Sequence, residues 1–285
     1  MTNEPTARDR AVRDMNDAAK KIRIGAVNYL NTKPLVYRLD EFAPQAEIVY
    51  DLPSRLADGL SSGDLDVALI PSIEVFQDPT YSIISDVCIG TQGPVLSVKL
   101  FSKVAIEDIR TVALDEGSRT SAALIQILLA EQYDIRPQLT GLPIGDDLQD
   151  TNADAVLLIG DRAIHSRQGP YRIVWDLGDR WTQWSSLPFV FAMWTARAGV
   201  DTTGLDTALT AARDAGVAHL PEIAEREAAA LGLTTPQCLD YLKNNLHFYL
   251  GEQERQGLEL FYHHASQLDL APSGVDLEFA NLPTA

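Results

Sequence analysis

The chain has 285 residues, 46% of them hydrophobic and 22% charged, which is ordinary for a globular protein and enough to bury one large core or two modest ones. Its formal net charge of −17 argues against a nucleic-acid partner, because a phosphate backbone would be repelled and no Lys/Arg cluster offsets the excess. Cys88 and Cys238 show neither a disulfide framework nor a metal-ligand spacing and read as buried free thiols.

Residues 1–20, MTNEPTARDRAVRDMNDAAK, are polar and mixed in charge and read as a loose arm. They hold no apolar signal region, and no run of about 18 apolar residues follows, so the expectation is a cytoplasmic protein with no membrane partner.

IRIGAV reads as a strand that runs straight into VNYLNTKPL. There Tyr29, Asn31 and Thr32 put donors at the strand's carboxyl end, and Pro34 opens a short helix to Leu39. AEIVYDLP is a second, mostly buried strand. SRLADGLSSG is a helix with Ser54 as N-cap, Leu56 and Leu60 on one face, and Gly63 as its stop. DLDVALIPS is a continuous apolar run, as expected of a strand buried on both faces of a parallel sheet. GPVLSV, Gly93 to Val98, suits a strand crossing between lobes, with Ser97 facing a cleft or lying on a half-exposed strand. TVALDEGSRTSAALIQILLAEQY is strand, tight turn and helix; DAVLLIGDRAI is a buried strand; YRIVWDLGDRW is a strand and a turn; SSLPFVFAMWTAR is a last apolar strand.

After Gly199 the pattern becomes helical. DTALTAARDAGVAHLPEIAEREAAALG, PQCLDYLKNNLHFYL and EQERQGLELFYHHASQLDL read as successive helices, the last with Leu258, Phe261, Tyr262, Ala265 and Leu268 as its core face. Strands alternating with helices imply an α/β fold with right-handed crossovers. Two such blocks and a helical tail suggest two lobes with a ligand cleft between them. Residues 21–98 with 195–285 make the first lobe, and 99–194 the second.

In open α/β sheets, ligands lie beyond the carboxyl ends of the strands. DEGSRTS is the sharpest of those ends. Gly117 permits the turn, and Ser118, Arg119, Thr120 and Ser121 cluster hydroxyls and free N–H groups where a helix begins, a pattern suited to a carboxylate or to an ordinary helix cap. Ser72 in IPSIE reads as a helix cap or as a further cleft donor. Phe189, Phe191 and Trp194 read as core, whereas Trp181 and Trp184 could wall a pocket for a planar ring. HExxH, GxGxxG, P-loop and GxSxG patterns are all absent. Asp115, Asp161 and Glu74 are the carboxylates at strand ends, and none has a convincing catalytic partner. The residues alone point to a two-lobed binder of a small anion, enzymatic or not.

In order along the chain, VNYLNTKPL, DLPSRLADGLSSGDLDVALIPSIE, GPVLSV, ALDEGSRTSAAL, DAVLLIGDRA and DLGDRW with LPFVFAMW resemble the chorismate dehydratases of menaquinone biosynthesis, the entry enzymes of the futalosine route. The resemblance runs from Lys21 to Trp194. It implies a type II periplasmic-binding-protein-like fold and removal of water from chorismate to give 3-[(1-carboxyvinyl)oxy]benzoate, with no cofactor and no metal. It also implies site roles: Asn31 and Ser97 at the reacting region, with Tyr29, Ser72, Ser118, Arg119, Thr120, Ser121 and Asp161 as substrate-binding positions. No strong protein base stands out, so the substrate's own side-chain carboxylate is the expected proton acceptor. Ser185-Ser186 departs from the Thr-Gly expected of the family, and a serine in the glycine's place puts a side chain where φ could be positive. A 1,4-dihydroxy-6-naphthoate synthase-like enzyme, a non-catalytic binder and a sensor of an aromatic acid are the alternatives on the same fold.

Overall fold

A computed structural model describes residues 21–117, 119–146, 149–165 and 171–277. In chain order the strands and the helices of nine residues or more are β1 (Ile22–Val27), β2 (Ala46–Asp51), α1 (Pro53–Ser62), β3 (Val67–Pro71), β4 (Ser82–Thr91), β5 (Val98–Ser102), β6 (Thr111–Asp115), α2 (Arg119–Tyr133), β7 (Gln138–Leu142), β8 (Ala155–Ile159), β9 (Ile173–Asp176), α3 (Leu177–Ser185), β10 (Phe189–Ala196), α4 (Leu205–Ala218), β11 (His247–Tyr249) and α5 (Glu252–Gln267). They form two sheets, ordered β11-β4-β10-β3-β1-β2 and β7-β6-β8-β5-β9. The chain leaves the first sheet after β4, builds the second, and returns at β10. The result is the expected α/β fold in two lobes.

Continuous apolar strands arise where both faces are covered. In β8 every residue is buried: Ala155, Leu157 and Ile159 join the main core, while Val156 and Leu158 face a second cluster with Phe101, Ala113 and Leu142. Alternation of period two thus puts both registers of AVLLI out of water. β2 is different. It is an edge strand paired only to β1, and Val49 and Tyr50 are exposed, so the expectation of a mostly buried run is corrected.

Other expectations shift for physical reasons. Residues 33–38 form turns rather than a helix, after a 3₁₀ turn at Leu30–Thr32. Ser54 does not cap α1; Pro53 occupies the first turn, and Gly63 at φ 81° ends the helix as anticipated. The segment YLKNNLHFYL, read as helix, is a π-helical turn at Tyr241–Asn245 followed by β11, which pairs with β4. β10 lies in the first sheet, between β3 and β4, so the return crossing precedes it, well before the boundary expected at residue 194. An all-buried strand such as FVFAMWTA fits either sheet, so its pattern could not say which.

Two crossings join the sheets, and one carboxylate holds both. Asp176, at the end of β9, accepts hydrogen bonds from Val95 N–H at 2.9 Å and Leu96 N–H at 2.7 Å on the outgoing crossing. It also caps α3 on the return crossing by accepting from Gly178 N–H at 3.0 Å and Asp179 N–H at 3.2 Å. At the far end of α3, Ser186 adopts φ 60°, so this serine does take the left-handed conformation that glycine occupies at lower cost.

Close approaches fix the helical tail. A Cβ on Gly216 of α4 would lie 2.0 Å from the carbonyl oxygen of Pro34, and one on Gly257 of α5 would lie 2.2 Å from that of Pro188. Gly216→Ala gains up to ~1 kcal/mol of helix propensity, but the backbone clash outweighs it, and a net loss of roughly 1–3 kcal/mol is expected in urea unfolding. A variant as stable as wild type would show that α4 does not seat on Pro34. Asp176→Asn can no longer accept at both oxygens and turns an amide N–H₂ toward backbone donors. A loss of ~1–3 kcal/mol is expected at pH 7, and an unchanged unfolding midpoint would show that the crossings do not depend on this group.

Candidate active site

A cleft opens between the lobes at the carboxyl ends of β1, β3, β6 and β8. It encloses about 530 Å³ including its mouth, within the range of small-molecule sites. Val27, Tyr29, Asn31, Pro53, Pro71 and Ile89 line it from the first lobe. Gly117, Arg119, Thr120, Ser121, Ile159 and Gly160 line it from the second. Val95, Ser97 and Val98 come from the outgoing crossing, and Phe191 and Ala192 from β10. The walls are therefore chiefly apolar, with an amide, a phenol and hydroxyls set among them.

Asn31 sits in the 3₁₀ turn Leu30–Thr32. The first N–H of that turn, on Leu30, donates at 3.0 Å to the carboxylate of Asp161 in the opposite lobe. Thr32 Oγ1 donates to Asn31 Oδ1 at 3.2 Å, which leaves the amide nitrogen as the donating end. Burial raises the Asp161 carboxyl above its ordinary range, against the opposing Leu30 N–H bond. Asp161 is thus behind the wall, orienting the turn that carries Asn31, rather than in the cleft lining.

Ser97 closes the outgoing crossing. Its N–H donates to Val95 O at 2.7 Å, so Val95–Leu96–Ser97 is a three-residue turn with Leu96 at φ 58°. Positive φ at a leucine is strained and persists only where surroundings impose it. Here Asp176 imposes it, gripping the N–H groups of Val95 and Leu96. GPVLSV is accordingly a held coil and not the strand expected, yet Ser97 lines the cleft although it is almost wholly buried.

α2 begins at the cleft, and the N–H groups of its first turn have no partner within the helix. That makes its start a place for an anion. Ser118 lies outside the described residues. The side chains beside it are already engaged across the lobes. Arg119 pairs with Asp58 at 2.6 Å and Glu74 at 3.1 Å. Thr120 Oγ1 accepts from Ile73 N–H at 3.3 Å and lies 3.3 Å from Ser72 Oγ, which itself donates to Val190 O at 2.7 Å. Ser72 is fully buried and braces β10 against α2; it does not line the cleft.

Tyr29 packs its ring over Gly160, where a Cβ would fall 2.9 Å from the ring carbons. Burial, then the charge of Asp115, pushes the Tyr29 phenol up to about 12, so it is a neutral donor at neutral pH. Asp115 is itself salt-bridged to Arg162. Among the described residues lining the cleft, Arg119 is the one charged side chain, and Asp115, Glu74 and Asp161 all lie outside that lining.

Two further differences concern aromatic groups. Trp181 is fully buried, donating Nε1–H to Pro188 O at 3.0 Å, and neither it nor Trp184 lines the cleft. Phe191, expected as plain core, presents its ring there. Tyr241 carries no signal in the sequence, although its hydroxyl is buried, has no hydrogen-bond partner among the described residues and is influenced by Ser97. Its surrounding pattern, LDYLKNNL, reads as core helix and carries no chemical signal.

Comparison with known proteins places this geometry. The profile of the menaquinone biosynthesis family matches residues 22–267. A chorismate dehydratase of Thermus thermophilus is 33% identical over 258 residues, covering 84% of this chain and 93% of that protein. Among solved structures, a protein from Archaeoglobus fulgidus superposes with a TM-score of 0.69 at 18% identity, covering 89% of this chain and 99% of the other. The alkanesulfonate-binding protein of Xanthomonas axonopodis pv. citri, bound to MOPS, gives a TM-score of 0.62 at 12% identity over 89% of this chain and 95% of the other. These last two likenesses concern the fold alone, which is that of periplasmic binding proteins. No helix among the described residues is long and apolar enough to cross a membrane. With its family profile matched over residues 22–267 and 33% identity to that chorismate dehydratase across 84% of its length, the chain belongs to the menaquinone biosynthesis family.

Proposed function

We propose that this chain is a chorismate dehydratase, converting chorismate to 3-[(1-carboxyvinyl)oxy]benzoate and water. The observation that carries the reading is the cleft of a 33%-identical relative of such an enzyme, where Asn31 and Ser97 line one cavity at the start of α2. The reaction breaks the C3–H and C4–O bonds of the ring and leaves it aromatic, so the driving force lies in the substrate. The protein's tasks are to orient the ring, exclude water and stabilise charge on the departing oxygen.

The cleft supplies means for each. The ring lies against Phe191, Ile89 and Val27, and a carboxylate meets the first-turn N–H groups of α2 with Ser121. The Asn31 amide donates toward the reacting region, with Ser97 on the crossing beside it. No carboxylate, histidine or lysine stands among the described residues of the lining, which supports the substrate's side-chain carboxylate as acceptor of the C3 proton. That acid then lies beside the departing hydroxyl, and water leaves.

Purified protein incubated with chorismate is expected to remove the diene absorbance and yield an aromatic product lighter by one water. Asn31→Ala and Ser97→Ala should each lower kcat by ~100-fold or more, the scale seen when a positioned donor is removed. Tight chorismate binding without conversion would make the protein a binder, and wild-type turnover by both variants would move the reaction out of this cleft.

A further inference from the structure

The π-helical turn Tyr241–Asn245 docks on the crossing that carries Ser97, at two points. Asn245 Nδ2 donates to Pro94 O at 2.8 Å. Tyr241 is 1% exposed, and its buried hydroxyl forms no hydrogen bond among the described residues; the Ser97 hydroxyl is near enough to influence it but not placed to bond it. A π-turn is rare, and its widened ring of backbone re-aims side chains that an α-helix would send elsewhere, often at functional sites. Here it brings Tyr241 and Asn245 against the same short segment. Among the described residues, Ser97 Oγ makes one long hydrogen bond, donating to Val95 O at 3.4 Å. A buried hydroxyl with no partner is costly, and the side-chain hydroxyl that acts on Tyr241 is that of the serine lining the cleft.

We infer that Tyr241 is a positioning residue: its O–H donates to Ser97 Oγ and so directs the single Ser97 proton into the cleft, toward the departing oxygen of the ligand. This rests on the chorismate dehydratase reading. A serine hydroxyl has one proton and two acceptor sites. Once Tyr241 occupies one of those sites from behind, the Ser97 proton can leave its long bond to Val95 O and point forward. No proton changes owner; the C3 proton still goes to the substrate carboxylate, and the two hydroxyls contribute only hydrogen bonds that strengthen as charge grows on the leaving oxygen. Burial pushes the Tyr241 phenol above its usual range, which keeps it a donor at any working pH.

The test is a cycle of Tyr241→Phe, Ser97→Ala and the double variant, each read for kcat, KM, chorismate affinity and melting temperature. Phenylalanine keeps the packing volume. Tyr241→Phe is expected to lower kcat about 10-fold, what one neutral hydrogen bond is worth, with KM and chorismate affinity unchanged. In the Ser97→Ala background it should have no further effect on kcat, because the group it acts through is gone. Wild-type kcat in Tyr241→Phe, a loss that recurs in full in the Ser97→Ala background, or a lowered melting temperature with kcat intact would each overturn the assignment while leaving the dehydratase reading standing. Absence of chorismate turnover by the wild-type protein would overturn both.

Discussion

The geometry of the cleft depends on one buried carboxylate. Asp176 accepts from four backbone N–H groups, two on each of the crossings that join the lobes. Burial raises its carboxyl above the ordinary range, and the N–H groups of Val95, Asp179 and Leu96 oppose that shift. The consequence reaches the site directly. Without that grip, Leu96 would relax out of its positive φ, and Ser97, the next residue, would turn with it. A carboxylate that touches no ligand therefore sets the aim of a hydroxyl that lines the cleft.

The lobes meet through polar groups that look, in sequence, like ligand binders. Arg119 reaches Asp58 and Glu74, Thr120 meets Ser72 and Ile73, and Asp161 takes the N–H of Leu30. Each contact joins an element of the second lobe to one of the first. Together they tie the two lobes to each other, while Asn31, Ser97, Ser121 and Tyr29 of the cleft lining stay outside this clasp. The exposed part of this clasp is weak by nature, since a partly solvated pair contributes ~1 kcal/mol or less, and weakness suits a cleft that must open to exchange its contents.

Much of this was legible from the residues. Strand–turn–helix at TVALDEGSRTS and the buried runs VALIP and AVLLI follow from local pattern, because period and turn chemistry are local properties. Asn31 and the start of α2 were legible as donors at strand ends, and Ser97 as a candidate on a crossing between lobes, where a cleft-facing and a half-exposed side chain read alike. Partnership was not. Ser72 and Arg119 carry the same groups whether they meet a ligand or the other lobe, and only the docking of two distant segments decides it. β10 failed in its sheet, and HFY failed in its type, for a related reason: an all-buried strand and a three-residue strand owe their place to β4, not to their own periodicity. Tyr241 was invisible because core tyrosines and positioning tyrosines share one pattern.

The occupied state of Arg119 bears on how a carboxylate could act as a base here. A free guanidinium beside a bound carboxylate would hold it ionised and make it a poor proton acceptor, lowering its pKa as opposite charges do. In this cleft the guanidinium is shared between Asp58 and Glu74, so its charge is largely answered before any ligand arrives. The remaining donors are dipoles: hydroxyls, an amide, and the N–H groups at the start of α2. Dipoles orient an anion without quenching its basicity as a full cation would, and apolar neighbours such as Phe191 and Ile89 raise that basicity by excluding water. The chain's net charge of −17 acts in the same direction, though distant surface charges are damped beyond a Debye length of ~8 Å at physiological ionic strength. Among the described residues the one lining arginine is engaged elsewhere, an arrangement that suits the proposed reaction, in which the substrate would supply its own base.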